Sequence, residues 1–568
     1  MTNWVWGQMH AVQELKILII GGYGIFGGRL AKLLADEAAL TLIIAGRSRV
    51  KAQAFCNGLP AKATLIPHIF DREGDLEAQL EELSPDVVVD ASGPFQNYGQ
   101  DPYRVINACL TLGIHYLDLA DGSDFVAGIR QFDEHAKERN VFILSGVSSF
   151  PVLTAAVVRE LAHGMKQLHS IKGGIAPSPY AGVGENVIRA IASYAGQPIA
   201  LTRGGKPSTG YGLTETLRYT IAPPGKLPLH NIRFSLVDVP DLQVIPPEWP
   251  GLDSIWMGAG PVPEILHRAL NGLAWLVRLR IIPSLLPFAG LFYHAINILR
   301  WGEHRGGMFV AVQGTGVDNQ PITRSWHLLA EGNDGPFIPS MAIEAIIRNM
   351  LSGRLPPSGA CAASHDVTLP DYDALFKRRT IYTGRRENTS ASTLPLYQHI
   401  LQDQWQTLPP AIRDLHNLQT SKSVEGRARV ERGTGILAKI IALLFGFPKA
   451  TPDTSVKVDF TVKNGQEIWQ RTFGNTSFRS FQYEGRGRYE NLVCERFGLL
   501  TFGLAVVVKN NELHLVVRRW DILGLPLPLF LAPRSDAHES EDAGKFHFHV
   551  ELSLPLIGLI VRYQGWLA

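Results

Sequence analysis

KILIIGGYGIFGG, residues Lys16 to Gly28, is the stretch whose reading decides the fold. Ile17 to Ile20 is a short apolar, β-branched run, long enough for a strand buried on both faces. Gly22-Tyr23-Gly24-Ile25-Phe26-Gly27 follows at once, and Arg29 to Leu34 then reads as a helix. Strand, glycine turn and helix together give G-x-G-x-x-G its meaning as a dinucleotide site; among 55 glycines the motif alone would say little. Gly22 permits the tight turn, Gly24 leaves room for a pyrophosphate against bare backbone, and Gly27 lets the helix pack close to the strand. Tyr23, Ile25 and Phe26 complete the loop, and the free N–H groups of the first helical turn face the phosphates. A second strand, Thr41 to Ala45, arrives where this unit needs one.

The tip of that second strand selects the dinucleotide. An NAD-type site carries an acidic residue there, bonded to the ribose 2′-hydroxyl. Here the tip is Gly46-Arg47-Ser48-Arg49, without a carboxylate. Arg47 can stack on adenine and pair with a 2′-phosphate, and Ser48 can add a hydrogen bond; the alternative is a solvated arginine at a strand end. The pattern favours NADP over NAD.

Composition sets the outer limits. A chain of 568 residues is too long for one core, and roughly two to four domains are expected. The net charge of +2 provides no field to draw in nucleic acid. Cys56, Cys109, Cys361 and Cys494 lie far apart without a C-x-x-C pair, so zinc-finger and thioredoxin readings fail and reduced thiols in a cytoplasmic protein are the simple expectation. The opening MTNWVWGQMHAVQELK lacks the basic start and apolar core of a secretory signal.

The βα alternation continues through a helix from Arg49, a strand over Ala63–Asp71, a helix over Asp75–Leu83 and a strand over Asp86–Ala91, predicting an α/β, Rossmann-type doubly wound parallel sheet. Asp71, at the tip of the third strand, either contacts adenine or caps the next turn. Ser92-Gly93-Pro94-Phe95-Gln96-Asn97-Tyr98-Gly99 leaves the fourth strand where ligands lie in such sheets, placing Ser92, Gly93 and Pro94 near the nicotinamide half of the cofactor. Gly93-Pro94 makes a rigid turn, and Phe95 or Tyr98 walls the ring. Tyr98 is the one candidate acid in this loop, with packing as the alternative.

GPFQNYG, Asn107-Ala108-Cys109 on a helix and Gly113-Ile114-His115-Tyr116-Leu117-Asp118-Leu119 resemble the saccharopine dehydrogenase-like NADP-binding proteins. With GGYGIFG, the likeness spans about the first 150 residues. It implies a Rossmann domain over 1–150 joined to a second α+β domain. Family members often follow Asp-Leu with a small residue, Gly and Glu; here Asp118-Leu119-Ala120-Asp121-Gly122 puts the acid one place early, and this departure leaves open whether a role carried over to that glutamate applies. His115 and Asp118 are expected to orient backbone near the cofactor.

Residues 151–382 read as the α+β substrate and dimerisation domain. Val152–Gly164, Glu185–Tyr194 and Pro339–Leu351 read as helices, and Gly307–Gly314 and Ile322–Leu329 as a hairpin turned at Asp318-Asn319-Gln320. Arg324, His327 and Glu331 are candidate substrate contacts, though some face water on an alternating strand. Ala181-Gly182-Val183-Gly184 does not form a second phosphate cradle, because no strand leads into it and no lysine follows in register. Within the apolar helical segment 263–300, Ile281 to Leu299 holds no Asp, Glu, Lys or Arg. Pro283 and Pro287 argue against a membrane span and for short helices, either buried in a homodimer or core, or making a peripheral membrane contact through 273–299.

Residues 383–393 read as a polar linker. Beyond it, 394–568 is a mainly antiparallel β domain with the apolar helix GILAKIIALLF, curved and barrel-like, with tight hairpins at Asn464-Gly465 and Asn510-Asn511. VEGRARVERG, Arg518-Arg519-Trp520 and the ending from Pro555 to Trp566 resemble an uncharacterised bacterial domain fused to such reductases, which implies no chemistry. Arg427, Arg429, Arg518, Arg519, Arg534 and Arg562 either meet an anionic head group or form the polar face of alternating strands. His547 and His549 share a face without a third ligand, and no metal is expected.

Two functional readings follow. One is an NADP-dependent oxidoreductase moving a hydride between nicotinamide and a carbonyl, imine or alkene of a small, apolar substrate. The other is an NADP-binding scaffold or lipid-handling protein whose barrel binds an apolar ligand without turnover.

Overall fold

Apolar runs ending in a turn or a carboxylate build the first sheet. Its strands are β1 (Leu15–Ile20), β2 (Leu40–Gly46), β3 (Thr64–Ile69), β4 (Val87–Asp90), β5 (His115–Asp118) and β6 (Phe142–Ser145). A computed structural model describes residues 14–388 and 394–568; the leader-free reading of residues 1–13 and the end of the expected linker lie outside these. The strands are parallel in the order β6-β5-β4-β1-β2-β3, and a seventh, Gly359–Ala362, adds beside β6 from far along the chain. Order reverses at β1, which opens a crevice beyond its carboxyl end. Ile17, Leu18 and Ile19 are fully buried, as a strand covered on both faces requires. Helices α1 (Ile25–Leu34), α2 (Arg49–Gly58), α3 (Leu76–Leu83) and α4 (Arg104–Leu112) cover the sheet. The predicted Rossmann-type class is borne out.

Two compact units divide the chain: residues 1–217, 233–325 and 329–382 form one, and 218–232, 326–328 and 383–568 the other. Within the first, Met165–Ala176 pairs antiparallel with Gly306–Gly316 and parallel with Ser254–Ala259. The hairpin between Gly306–Gly316 and Pro321–Ala330 turns at Asn319, which takes a positive φ of 60°. The strands Pro198–Arg203, Lys206–Tyr211 and Ser254–Ala259 carry no clear alternation and are not legible in the sequence.

The apolar segment forms two helices, Glu264–Arg278 and Ala289–Ile298, separated at the prolines. Glu264–Arg278 is pinned by buried polar groups: Ser235 Oγ and His267 Nε2 lie 2.7 Å apart, and Asn271 donates to the Leu213 carbonyl at 2.8 Å. Among the described residues no helix is long and apolar enough to cross a membrane. The linker reading needs correction over its first half: Ile381–Asn388 is a strand, because Gly384 to Asn388 need only backbone bonding, not an apolar face, to extend it. Residues 389–393 lie outside the described set.

In the second unit, ten antiparallel strands close into a barrel, from Leu500–Lys509 round to Glu512–Ile522, which pairs back onto the first. Lys422–Arg432, its first strand in sequence, pairs with Gly558–Leu567, its last. The expected hairpins are present, with Asn464, Gly465, Asn510 and Asn511 all at positive φ. Val493–Phe497 and Arg534–Asp542 are strands beyond those expected, the latter masked by its charged sequence RSDAHESED. Strand direction alternates, so connections 464–465, 485–492, 510–511 and 543–544 fall at one end, and 433–450, 474–475, 498–499, 523–533 and 555–557 at the other. Short helices Leu396–Leu401 and Pro410–His416 pack at the first of these ends, where the Tyr397 hydroxyl donates to Gln482 at 2.9 Å and Ala411 N to Glu541 at 2.7 Å.

Cutting Ile19 to alanine leaves a cavity in a fully buried strand and is expected to cost about 3 kcal/mol, read as a lower denaturant midpoint for the unit that holds it.

Candidate functional site

At the end of β1 the backbone turns at Gly21, whose φ of 75° suits glycine. The turn role expected of Gly22 therefore belongs to Gly21, one place earlier. Gly22 is buried, its N–H donating to the Ala45 carbonyl at 3.0 Å, and a Cβ there would stand 2.8 Å from the Ile19 carbonyl. A Cβ on Gly27 would come within 2.4 Å of the Gly21 carbonyl, so this glycine sets how closely α1 meets β1. Gly24 and Ile25 stay exposed while Gly27 is buried. Gly24 caps α1 without any side-chain hydrogen bond, and the first turn holds no acid. The N–H groups opening α1 thus face outward over bare backbone, a fit for a pyrophosphate.

Tyr23 reaches across to the tip of β2. Its hydroxyl accepts from Ser48 N at 3.0 Å, and a Cβ on Gly46 would lie 2.6 Å from that hydroxyl. The Ser48 hydroxyl accepts from Lys51 N at 3.4 Å and so caps α2, whose first turn holds no acid. Arg47 is exposed beside it. A cationic tip, a helix N-terminus and no carboxylate fit a 2′-phosphate. Asp71 takes the turn-capping role: its carboxylate accepts from Glu73 N at 3.0 Å, and its own N–H donates to Gln79 at 2.9 Å.

Beyond β4 the carboxylate of Asp90 is fully buried. It accepts from Ser92 N at 2.9 Å and Ser92 Oγ at 2.6 Å, and the Tyr98 hydroxyl lies 3.2 Å from both its oxygens. Burial pushes the Asp90 carboxyl up. Burial first, and Asp90 second, raise the Tyr98 phenol far above its ordinary value. Arg72 stacks on the Tyr98 ring, 3.4 Å from its centroid, and Phe95 packs at 4.5 Å. Tyr98 thus ties its own loop to the end of β4, as the packing alternative expects. At the end of β5, Asp118 accepts from Gly146 N at 2.7 Å and Ala120 N at 2.9 Å, and burial pushes its carboxyl up to about 7. His115 Nδ1 accepts from Phe142 N at 3.2 Å and its ring stacks on Phe142.

The second sheet's loops reach this crevice. Arg29 donates to the Ala181 carbonyl at 2.9 Å, and Asn186 donates to the Gly93 carbonyl at 2.9 Å. A Cβ on Gly184 would lie 2.8 Å from Ile25 Cδ1, so the glycine-rich stretch lies against the start of α1 instead of forming its own cradle. Gln96 donates to Asp121 at 3.0 Å, and Ser123 Oγ donates to Asp238 at 2.6 Å. Asp121 is open to solvent yet closely surrounded by protein, which pushes its carboxyl up, with Asp238 adding to the effect. Tyr194 is raised by its surroundings and by both carboxylates. Asp121, Asp238 and Tyr194 were not singled out from sequence; the displaced acid after Asp118-Leu119 was the available signal. Among the sequence's substrate candidates, Arg324 donates to the Leu161 and His163 carbonyls, His327 is fully buried and accepts from Ala222 N at 3.1 Å, and Glu331 lies 3.8 Å from Arg305. These three serve the fold.

Residues 17–144 match the saccharopine dehydrogenase NADP binding domain, and residues 408–567 match a domain of unknown function (DUF4166). Comparison with curated proteins gives no match. Among solved structures, apo saccharopine dehydrogenase (L-Glu forming) from Saccharomyces cerevisiae is similar at a TM-score of 0.47 and 14% identity, over 66% of this chain and 100% of that one. A probable dehydrogenase from Thermotoga maritima is similar at a TM-score of 0.32 and 11% identity, over 65% and 98%. The chain therefore carries a saccharopine dehydrogenase-type NADP-binding domain over residues 17–144, with NADP as its cofactor, and a C-terminal DUF4166 domain over residues 408–567.

Gly27→Ala is expected to abolish NADPH binding by fluorescence titration, because the Cβ meets backbone. Asp118 binds its proton more tightly folded than unfolded, so its contribution to stability falls as pH rises from about 4 to about 7. Asp118→Asn keeps an oxygen for both amides and is expected to flatten that decline in pH-dependent unfolding.

Proposed function

We propose that this chain is an NADP-dependent oxidoreductase that moves a hydride between the nicotinamide C4 and a carbon of a carbonyl, imine or alkene. The observation that carries the reading is the uncapped N-terminus of α1 over a bare glycine turn, beside a β2 tip with cations and no carboxylate. NADPH, when bound, supplies the hydride. The chain's own residues supply position. Backbone amides of α1 hold the diphosphate, and Arg47 with the N-terminus of α2 selects the phosphorylated ribose. Asp90 and Asp118 pin the loops after β4 and β5, and so fix the floor on which the nicotinamide half rests.

Asp121 is the group best suited to hold a proton for the substrate. It is reachable from solvent, its carboxyl is raised, and Gln96 fixes its orientation. Tyr98, buried and bonded to Asp90 and Ser92, stabilises the loop beneath.

Arg47→Ala is expected to weaken NADPH binding by about tenfold to a hundredfold while leaving NADH binding nearly unchanged, as loss of a charge-assisted pair requires. Fluorescence titration reads both. In a cofactor-oxidation screen over carbonyls, imines and alkenes, Asp121→Asn is expected to slow turnover by about 10²-fold or more with NADPH affinity retained. A protein blind to both nucleotides at millimolar concentration would end the redox reading.

A further inference from the structure

The barrel holds a cavity of about 380 Å³, a volume in the range of small-molecule sites, walled mainly by apolar strand residues such as Val458, Phe460, Leu504 and Val517. Its polar groups are few and gathered. Glu495 accepts from Ser480 at 2.7 Å, Gln482 at 3.1 Å and Arg471 at 3.3 Å, and Glu539 shares a 2.6 Å hydrogen bond with the buried His416. Tyr397 and His416, from the short helices, reach these groups, so the polar base lies at the end those helices close. Two carboxylates against one guanidinium disfavour a ligand carboxylate there and suit a hydroxyl that donates a hydrogen bond.

The other end is different in kind. Helix Ile436–Leu444 lies there; Ile441 and the adjoining Phe445 line the cavity, while Ile436, Leu437, Ile440, Leu443 and Leu444 face outward, more than half exposed. Arg432 donates to the Phe447 and Pro448 carbonyls and ties down the segment after the helix. Connection 523–533 adds exposed Leu523, Leu525 and Phe530; connection 498–499 adds Leu499, and 555–557 adds Leu556. All of these connections fall on this one end, as strand alternation dictates. They contain Lys439 and Lys449 and no carboxylate. The opposite connections show Asn464-Gly465, Asn510-Asn511 and the charged 485–490, GRGRYE. An apolar rim whose connecting segments carry cations and no carboxylate, with the nearest exposed carboxylates Asp453 and Asp536 set back on the strands and paired with Arg427 and His538, is complementary to an anionic bilayer surface.

We infer that the C-terminal barrel binds one single-chain amphiphile with a hydroxyl head, chain toward the mouth, and exchanges it with an anionic membrane on which the 433–450 and 523–533 rim docks. This site is separate from the NADP-binding domain and does not rest on the redox reading.

The test uses the full chain, NBD-labelled dodecanol and dodecanoic acid, and vesicles of phosphatidylcholine with or without an equal part of phosphatidylglycerol. The alcohol is expected to bind saturably at one per chain, and more tightly than the acid. Val517→Phe, which fills the cavity, is expected to weaken binding by about tenfold or more. Leu443→Asp with Phe530→Asp changes only exposed rim positions; it is expected to leave binding of free probe within about twofold and to slow its transfer from phosphatidylglycerol vesicles by about tenfold. Absence of saturable binding, a preference for the acid, or transfer indifferent to the rim pair and to phosphatidylglycerol would overturn the inference. Should Val517→Phe fail to fold, stoichiometry of the unaltered chain and the rim pair decide.

Discussion

The approach of α1 to β1 is the constraint on which the first unit depends. At Gly27 the two elements come so close that even a methyl group would meet the Gly21 carbonyl. This closeness keeps the opening turn of α1 beside the end of β1, where strand order reverses. From there the neighbours follow: Tyr23 spans to the tip of β2, and the 181–184 loop rests on Ile25 and Arg29. Helix Ile338–Leu351 adds a brace on the far side, with Arg348 donating to the Leu33 carbonyl at 3.0 Å and pairing with Asp36 at 2.7 Å. One glycine contact therefore governs both the packing of a layer and the direction in which a row of amides points.

Carboxylates at the ends of β4 and β5 solve a second problem. The sheet is buried, so loops leaving it expose backbone N–H groups that need acceptors. Asp90 and Asp118 supply them at the cost of burying ionisable groups, and both carboxyls are pushed up accordingly. Neither residue needs to take part in chemistry to be indispensable to the crevice.

Most of the first domain was legible because its signals are local. A buried parallel strand writes itself as an unbroken apolar run, and a close helix–strand contact writes itself as glycine. The turn position was misread by one place because two glycines, Gly21 and Gly22, stand together and only φ distinguishes them. Ser48 and Asp71 show a different limit: their side chains carry ligand-binding and capping chemistry equally well, and the local backbone, absent from the sequence, decides. Asp121 and Asp238 come together only through tertiary structure. In the barrel, hairpin signals such as Asn464-Gly465 were plain, but Arg534–Asp542 is polar and charged apart from Ala537 and lacks an apolar face to announce it. The helix 436–444 was legible as apolar, but not that its leucines stay exposed, since hydropathy does not reveal which apolar face finds a partner.

The pairing of Lys422–Arg432 with Gly558–Leu567 has a consequence for biogenesis. Over a hundred residues separate these partners, and Gly426 meets Leu567 at the seam. During synthesis the earlier strands emerge with one edge waiting, and no amount of local hairpin formation can seal it. Closure has to await translation of the final strand, so the nascent domain is open-edged for most of its time on the ribosome, a period in which a chaperone that shields strand edges would matter most.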